Sequence, residues 1–243
     1  MQGCPATPPK NVLNLLAFDT STETLSVAIQ RTAGEILRVD GQGGARSSTT
    51  LIPTVLQLLS DAGLTLAELD AIVFGRGPGS FTGLRTACSV AQGLSFGSGV
   101  PVLGVDTLLA VAEEARSLAG VERVVALLDA RMDEVYCAAY AFENGVWREH
   151  EPVRLRRPED VVVPEGWALA GNAFTAYGER LPAAAARIAA LPTAAALLRV
   201  APALIAAGQA TDAAHAMPLY IRDKVAQTTD ERAAARALRD NPP

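Results

Sequence analysis

Four glycines and a proline separate two apolar segments in the stretch Gly75-Arg76-Gly77-Pro78-Gly79-Ser80-Phe81-Thr82-Gly83-Leu84-Arg85. Upstream, residues 69–74 have the composition of a buried strand, and downstream the apolar residues recur at helical spacing. Glycine tolerates positive φ and the close approach of another group, and Ser80 or Thr82 can cap the first free N–H groups of a helix. The stretch therefore predicts a tight turn from strand to helix, which either cradles an anion or packs closely against a neighbouring segment.

Two common phosphate-binding motifs do not fit this turn. A Walker loop ends in Gly-Lys-Ser or Gly-Lys-Thr, and the turn contains no lysine. The dinucleotide fingerprint requires a glycine three residues after its second glycine, where Ser80 or Thr82 stands instead. The remaining argument for an anion site at this turn is the general attraction of exposed amides at a helix start for negative groups.

Length and composition indicate a globular protein. The chain has 243 residues, of which 49% are hydrophobic, and this is enough for one large domain or two modest ones. No apolar run reaches the roughly 20 residues that span a bilayer, and the first ten residues lack the apolar core of a secretion signal. We therefore expect a soluble protein of the cytoplasm.

Charge and cysteine content argue against a stand-alone nucleic-acid-binding protein and against a disulfide-rich protein. The formal net charge of −5 disfavours a stand-alone nucleic-acid binder. The densest basic cluster, Arg154, Arg156 and Arg157, is expected in a solvated loop. Three cysteines at wide spacing do not suggest a disulfide framework, and Cys88 and Cys137 are expected in the core.

Strand and helix patterns recur along the chain in two halves. In the first half, β-rich runs precede a helix over about 48–62, and the turn after the first run carries Asp19. In the second half, a helix over 107–118 is followed by a strand over 121–128 and a turn that carries Asp129. Two lobes, each opening on a hairpin whose turn carries an aspartate, suggest a duplicated α/β architecture.

The predicted boundaries follow these patterns. We expect a disordered start over 1–11, an N-terminal lobe over 12–106, a C-terminal lobe over 107–194 and a disordered tail over 226–243. Part of the segment 195–225 is expected to pack back on the N-terminal lobe.

Two helices of the first half, at about 48–62 and 82–96, carry more apolar surface than one core face requires. One side of each can face the sheet. The second side is either buried against a neighbouring helix of the same chain or covered by a partner. The candidate partner-interface residues are Leu51, Ile52, Val55, Leu58, Leu59, Ala87, Val90 and Leu94.

One local pattern offers competing chemistry. Gly93-Leu94-Ser95-Phe96-Gly97 matches the nucleophile elbow of acyl-transfer enzymes, but Ser95 is expected at the end of a helix and not between a strand and a helix. The two histidines, His150 and His215, fall in loop-like settings and are expected at the surface. A peptidase is thus the least supported function, and no zinc site is indicated.

Several segments resemble the TsaB (YeaZ) family, in order from about residue 15 to residue 225. The glycine turn is the most specific of them. The others are Leu16-Ala17-Phe18-Asp19-Thr20-Ser21-Thr22-Glu23, Ala91-Gln92-Gly93-Leu94, Leu128-Asp129-Ala130-Arg131-Met132-Asp133-Glu134-Val135-Tyr136 and Pro218-Leu219-Tyr220-Ile221-Arg222. The resemblance implies the two-lobed α/β fold shared by actin, the sugar kinases and the heat-shock chaperone ATPases.

The function implied by the resemblance is a tRNA modification. The family is a subunit of the bacterial machinery that makes N6-threonylcarbamoyladenosine at position 37 of tRNA. The resemblance implies a non-catalytic scaffold and dimerisation subunit that binds and activates the catalytic paralogue TsaD, with TsaE as a second partner. It also implies a homodimer when the chain is isolated and contact with tRNA only through the complex. No cofactor is expected on this chain, because ATP, metal and threonylcarbamoyl-adenylate are expected on the partner subunits.

In this fold the two aspartate-bearing hairpins are phosphate loops, and the resemblance implies that the nucleotide site is degenerate here. Thr107 and Val111 stand where TsaD carries its metal-binding histidines, so no metal is expected. The negative charges of Asp129 and Asp133 would repel phosphate. An independent ATP-dependent kinase or ATPase of the same fold is the alternative. The candidate residues of the degenerate loops are Asp19, Thr20, Ser21, Gly77, Gly79, Ser80, Asp129, Arg131 and Gly171.

Overall fold

The computed structural model describes residues 13–31 and 34–222. The expectations of disorder at residues 1–11 and 226–243 lie outside the described residues. Within them, two five-stranded sheets form the centres of two lobes. Each sheet is covered by helices or loops on its apolar faces.

The first sheet combines an antiparallel meander with a parallel part. Its strand order is β3-β2-β1-β4-β5, in which β1 to β3 are antiparallel and β1, β4 and β5 are parallel. Residues 15–18 are all fully buried, since helices cover both faces of the sheet at its centre. The strands are β1 Leu15–Asp19, β2 Thr24–Gln30, β3 Ile36–Gln42, β4 Ala71–Gly77 and β5 Val102–Asp106.

The second sheet repeats this topology strand for strand. Its strands are β6 Arg123–Arg131, β7 Glu134–Glu143, β8 Val146–Arg156, β9 Ala168–Gly171 and β10 Ala186–Ala189. In the order β10-β9-β6-β7-β8, the strands β6 to β8 are antiparallel and β6, β9 and β10 are parallel. The predicted duplicated α/β architecture is confirmed.

The helices cover the sheets and join the lobes. They are α1 Ser47–Ala62, α2 Phe81–Ser98, α3 Thr107–Ala119, α4 Phe174–Tyr177 and α5 Ala194–Ala206. Helices α1 and α2 pack on one face of the first sheet, α5 packs on the other, and α3 packs on the second sheet. In the described part of the chain, no helix has both the length and the apolar character needed to cross a membrane.

A buried carboxylate ties three of these elements together. Glu113 of α3 is 1% exposed and accepts hydrogen bonds from Arg116 at 2.9 Å, from the indole N–H of Trp147 in β8 at 2.8 Å and from Arg199 in α5 at 2.8 Å. Burial alone would raise the pKa of Glu113, but these donors outweigh it and hold the pKa below its ordinary value. The first-lobe helix α5 is thereby anchored to the second sheet.

Strand β8 is the main departure from the sequence-based expectation. The predicted loop at Arg154 and Arg156 is wrong, because both residues lie in β8, where Arg156 pairs with Glu151. His150 also lies in β8 and not in a loop, and its ring centroid is 4.9 Å from that of Trp167. An edge strand with a solvated face tolerates many charges, so its sequence lacks the apolar signal of a buried strand.

Candidate functional site

The glycine-rich turn packs directly against the turn that follows β1. The hydroxyl of Thr20 donates to the carbonyl oxygen of Gly83 at 2.7 Å, and a Cβ on Gly83 would stand 1.8 Å from the carbonyl oxygen of Thr20. A Cβ on Gly79 would stand 2.5 Å from the carbonyl oxygen of Ser21. The N–H of Ser80 donates to that same oxygen at 2.7 Å. Glycine is required at both positions because two backbone turns touch there.

Asp19 is the buried acid beneath this junction. It is 1% exposed, and its Oδ1 accepts hydrogen bonds from the N–H and the hydroxyl of Ser21 at 2.9 and 2.6 Å. Its Oδ2 has no hydrogen-bond partner among the described residues and lies 1.8 Å from the position of a Cβ on Gly75. Burial raises the pKa of Asp19 to about 6, although the hydrogen bonds from Ser21 lower it. Asp19 therefore holds the turn together from below.

The turn of the second hairpin is also held by side chains of its own lobe. The Oδ1 of Asp129 accepts from the N–H of Arg131 at 2.8 Å and from the hydroxyl of Tyr177 at 2.9 Å. The N–H of Asp129 donates to the amide oxygen of Asn172 at 2.9 Å. Burial and the hydrogen bond to Asp129 raise the pKa of Tyr177 to about 12. The carboxylate of Asp129 is thus engaged in fixing the hairpin.

Arg131 connects the two hairpin turns across the gap between the lobes. Its guanidinium lies 3.2 Å from the carboxylate of Asp129 and 3.3 Å from that of Glu23, which belongs to the first lobe. The Arg131 and Glu23 side chains are largely exposed, so this pair adds little stability. Its effect is to place a paired charge at the point where the two turns face each other.

Two of the predicted loop glycines serve close packing between backbone segments. Gly171 ends β9 with φ +146°, and a Cβ there would stand 1.8 Å from the carbonyl oxygen of Leu127. Gly77 has φ +122°, and a Cβ there would stand 2.6 Å from the carbonyl oxygen of Leu219. Neither glycine lines the cavity between the lobes.

Thr107 and Val111, which the resemblance places where metal-binding histidines would stand, take part in packing. The hydroxyl of Thr107 accepts a hydrogen bond from the N–H of Gly77 at 3.1 Å. Val111 is fully buried in the core between α3 and the second sheet. Across residues 13–31 and 34–222, no cluster of three or more His, Cys, Asp or Glu residues is arranged to hold a metal ion.

Residues 216–222, which we call the strap, begin on the first lobe. The carbonyl oxygen of Ala216 accepts a hydrogen bond from the side-chain amide of Gln92 in α2 at 2.9 Å. Further along, the N–H of Leu219 donates to the carbonyl oxygen of Arg76 at 2.7 Å. These contacts lay the strap along α2 and the end of β4.

The strap ends on the second lobe. Ile221 packs against the core between α3 and the second sheet. The guanidinium of Arg222 donates to the carboxylate of Glu134, to the carbonyl oxygen of Arg131 at 3.4 Å and to the sulfur of Met132 at 3.3 Å. The strap therefore crosses the gap between the lobes and is fixed on both sides.

A cavity of about 380 Å³ remains between the two turns and the strap. Five of the nine predicted loop residues line it, namely Ser21, Gly79, Ser80, Asp129 and Arg131. The other four, which do not line it, are Asp19, Thr20, Gly77 and Gly171. Glu23, Tyr220 and Arg222 also line the cavity, and sequence analysis did not assign them to the site, although the Pro218 to Arg222 segment was visible as a motif.

Both arginines that line this cavity, and two of its backbone amides, are already engaged within the described residues. Arg131 pairs with two carboxylates, and Arg222 pairs with Glu134. The N–H of Ser21 bonds to Asp19, and the N–H of Ser80 bonds to the carbonyl oxygen of Ser21. A nucleotide phosphate needs free amides and unpaired cations, so neither these two arginines nor these two amides are available to bind one.

The predicted partner-interface residues fall into two groups. Leu51, Val55, Leu58, Leu59 and Ala87 are at most 5% exposed and belong to the core under the first sheet, so a partner does not reach them. Val90 and Leu94 are half-buried against the same core, and Ile52 is 44% exposed. Two residues outside the prediction, Leu56 at 53% and Phe96 at 89%, add to the apolar surface of α1 and α2.

Ser95 lacks the geometry of a nucleophile. It lies inside α2 near its end, is 4% exposed, and donates its hydroxyl hydrogen bond to the carbonyl oxygen of Val100 at 2.6 Å. A nucleophile elbow instead presents its serine at an exposed turn from strand to helix. The hydroxyl of Ser95 therefore has a structural role, because it links the last turns of α2 to the segment that follows the helix.

Two lobes with the same sheet topology, each opening on an aspartate-bearing hairpin that faces a shared cleft, define the actin-like α/β class. The family model "TsaD: tRNA N6-adenosine threonylcarbamoyltransferase" matches residues 44–229. The chain is also similar to YeaZ from Pseudomonas aeruginosa, a solved structure with a TM-score of 0.81 and 41% sequence identity. That match covers 86% of this chain and 99% of the other.

Two curated relatives carry the name tRNA threonylcarbamoyladenosine biosynthesis protein TsaB. The protein from Escherichia coli is 34% identical over 240 residues, covering 88% of this chain and 96% of the relative. The protein from Haemophilus influenzae is 34% identical over 231 residues, covering 88% of this chain and 95% of the relative. The chain belongs to the TsaB (YeaZ) family.

Proposed function

We propose that this chain is a non-catalytic scaffold subunit in the synthesis of threonylcarbamoyladenosine at position 37 of tRNA. In this role it binds and activates the catalytic paralogue TsaD in the cytoplasm, with TsaE as a further partner. Contact with tRNA is made only through the complex, and the isolated chain forms a homodimer through the same surface. ATP, metal and threonylcarbamoyl-adenylate are held by the partner subunits.

The observation that carries the proposal is that both arginines of the cleft are paired with carboxylates of this chain and that the strap covers part of its opening. The turn at Gly79 and Gly83 is closed against Thr20 and Ser21 by backbone contact. The strap then crosses the opening and ends on the second hairpin. A catalytic member of this fold needs that cleft for nucleotide, whereas a scaffold needs it only to be rigid.

The surface that we assign to the partner is the exposed apolar part of α1 and α2. Ile52 and Leu56 lie one helical turn apart on α1 and are 44% and 53% exposed, and Phe96 at the end of α2 is 89% exposed. Large apolar side chains that stay exposed on adjacent helices are typical of an interaction site. Packing against the helices of TsaD or of a second copy would bury them.

Charge introduced on this surface tests the assignment. Ile52→Glu combined with Leu56→Glu would place unpaired carboxylates in the interface, so we expect loss of co-purification with TsaD and loss of homodimer in sedimentation. Val162→Glu is the matched control, because Val162 is 59% exposed in the second lobe. Full-yield co-purification of the double variant would contradict the assignment of the face.

An ATPase of the same fold is the second candidate, and one observation favours it. Asp19 is a buried acid with an unpartnered Oδ2 near the end of β1, where a cation could compensate the charge. This alternative predicts that the isolated chain binds Mg-ATP with micromolar affinity in calorimetry, and that Asp19→Ala abolishes the binding. Absence of heat from Mg-ATP with the wild-type chain would remove the alternative.

A further inference from the structure

An open groove of about 450 Å³ lies beside the first turns of α2, on the same side as α1. Its lining contains one charged residue, Arg85, among hydroxyl and apolar groups. Ser48 contributes from the first turn of α1, and Ile52 follows it one turn later on the same face of that helix. The groove is thus continuous with the apolar surface of α1. The lining residues are Ser48, Phe81, Thr82, Arg85, Thr86, Ser89 and Val90.

Arg85 is held in a fixed position by two aromatic residues. Its guanidinium carbon lies 3.8 Å from the centroid of the Phe81 ring, within the range of a cation–π contact. Its Nε donates to the hydroxyl of Tyr220 at 3.2 Å, and the Tyr220 ring lies 5.3 Å from that of Phe81. These contacts use one face and one N–H of the guanidinium. They reduce the side-chain entropy that Arg85 would lose on binding a ligand.

The outer edge of the same guanidinium remains available. Among the described residues, Arg85 has no ion pair, and its two Nη groups make no hydrogen bond of their own. Other arginines near the cleft are neutralised by carboxylates, as Arg131 is by Glu23 and Arg222 is by Glu134. A fixed guanidinium with a free fork is suited to a bidentate oxyanion.

We propose that Arg85 receives a carboxylate side chain of the partner protein that covers α1 and α2. The proposal rests on the proposed function, in which that partner is TsaD. A carboxylate fits better than the phosphates of an RNA backbone, because the groove holds a single cation and the chain has a net charge of −5. Binding to a phosphate backbone depends on several clustered cations. One guanidinium beside apolar residues instead pairs with one acidic side chain at a largely apolar interface.

Tyr220 is the positioning residue of this receptor. Its hydroxyl accepts the hydrogen bond from Arg85, and its ring supports the Phe81 ring on which the guanidinium lies. Because Tyr220 belongs to the strap, the segment that crosses the cleft also shapes the docking surface. Tyr220→Phe removes the hydroxyl and keeps the ring, so it separates positioning of the guanidinium from packing.

The test measures affinity between the full chain and TsaD by calorimetry at two salt concentrations. Arg85→Gln and Arg85→Glu should weaken the complex by about tenfold or more, and the wild-type complex should weaken as salt rises while the Gln variant responds less. Tyr220→Phe should weaken it by a smaller factor. Arg154→Glu is the matched control, because it makes the same charge change at an exposed position of β8 in the second lobe. Circular dichroism and thermal melting establish that each variant is folded.

The outcomes distinguish failure of the Arg85 carboxylate receptor from failure of the proposed scaffold function. Loss of affinity for TsaD in Arg85→Gln, with an unchanged control, supports the carboxylate receptor. If a Lys in place of one acidic TsaD residue restores the affinity of the Arg85→Glu variant, that acidic residue is the partner of Arg85. Unchanged affinity on Arg85→Gln, with loss on the Ile52 and Leu56 double variant, overturns the receptor and leaves the proposed function intact. Failure of the wild-type chain to bind TsaD overturns both. Unchanged affinity for TsaD with weaker binding of the assembled complex to tRNA would assign Arg85 to phosphate and contradict the proposal.

Discussion

Thr20 and Gly83 lie in direct contact, which closes the first hairpin turn against the start of α2. The hydroxyl of Thr20 donates to the carbonyl oxygen of Gly83 at 2.7 Å, and the carbonyl oxygen of Thr20 stands 1.8 Å from the position of a Cβ on Gly83. The glycine turn therefore sets the start and direction of α2, which carries part of the proposed docking surface.

Substitution of Gly83 should break this contact. In Gly83→Ala the new methyl group collides with the backbone at Thr20, which cannot rotate away, so we expect a loss of about 2–4 kcal/mol in the free energy of unfolding by urea. Gly93→Ala is the control in the same helix, because no group beyond the adjoining helix backbone lies within 4 Å of a Cβ there. That variant should gain about 0.5–1 kcal/mol, since alanine favours the helix. Equal stability of the two variants would contradict the close packing at Thr20.

Asp19 should make stability depend on pH in a window set by its raised pKa. The pKa in the folded chain is about 6, against an ordinary value of 3.8, because burial disfavours the charged form. Between these values the folded state retains a proton that the unfolded state has released. The contribution of Asp19 to the free energy of unfolding is therefore fully present below about pH 4 and is lost as pH rises through about 6. A shift of about two units corresponds to about 3 kcal/mol.

The Asp19→Asn variant measures this contribution directly. Asparagine keeps an acceptor for the two Ser21 hydrogen bonds and cannot titrate. The stability of Asp19→Asn relative to the wild-type chain should therefore improve by about 2–3 kcal/mol between pH 4 and pH 7.5. A difference that stays constant over this range would show that Asp19 is not buried as described.

Arg222 should determine how firmly the strap holds the second lobe. Its side chain is 15% exposed and bonds to Glu134 and to the backbone of Arg131. Arg222→Ala should lower the free energy of unfolding by about 1–2 kcal/mol and speed amide exchange at Leu219 and in the second hairpin turn. Met217→Ala, at a strap residue that is 65% exposed, should leave both unchanged. Unaltered exchange at Leu219 in Arg222→Ala would contradict the crossing strap.

The fold was predictable where the sequence pattern reports burial on its own. The apolar runs of β1 and β4 and the periodic apolar residues of α1 to α3 gave strands and helices close to those observed. Strand β8 was missed because an edge strand with a solvated face has no continuous apolar run. The short strands β9 and β10 were missed because four residues carry too little pattern.

The candidate site was predictable only in part, for a physical reason. Glycines in a turn indicate that another group approaches the backbone closely. The sequence does not show whether the neighbour of Gly83 is a phosphate or the carbonyl of Thr20. The same limit applies to α1, where an apolar stripe at Leu51 and Val55 proved to be core while Ile52 and Leu56 stay exposed. Contacts far apart in sequence, such as that of Arg222 with Glu134, leave no local signal.

Reconstituted threonylcarbamoyl transfer to tRNA, with variants of the cleft, tests the central claim of a scaffold most directly. The chain would be omitted, added as wild type, or added with Asp129→Asn and Arg131→Gln, which change the cavity lining and leave the surfaces of α1 and α2 intact. The scaffold account predicts that transfer requires the chain and that the cleft variants support wild-type turnover. Turnover lost in the cleft variants, while their affinity for TsaD is unchanged, would contradict the account and place chemistry in this chain.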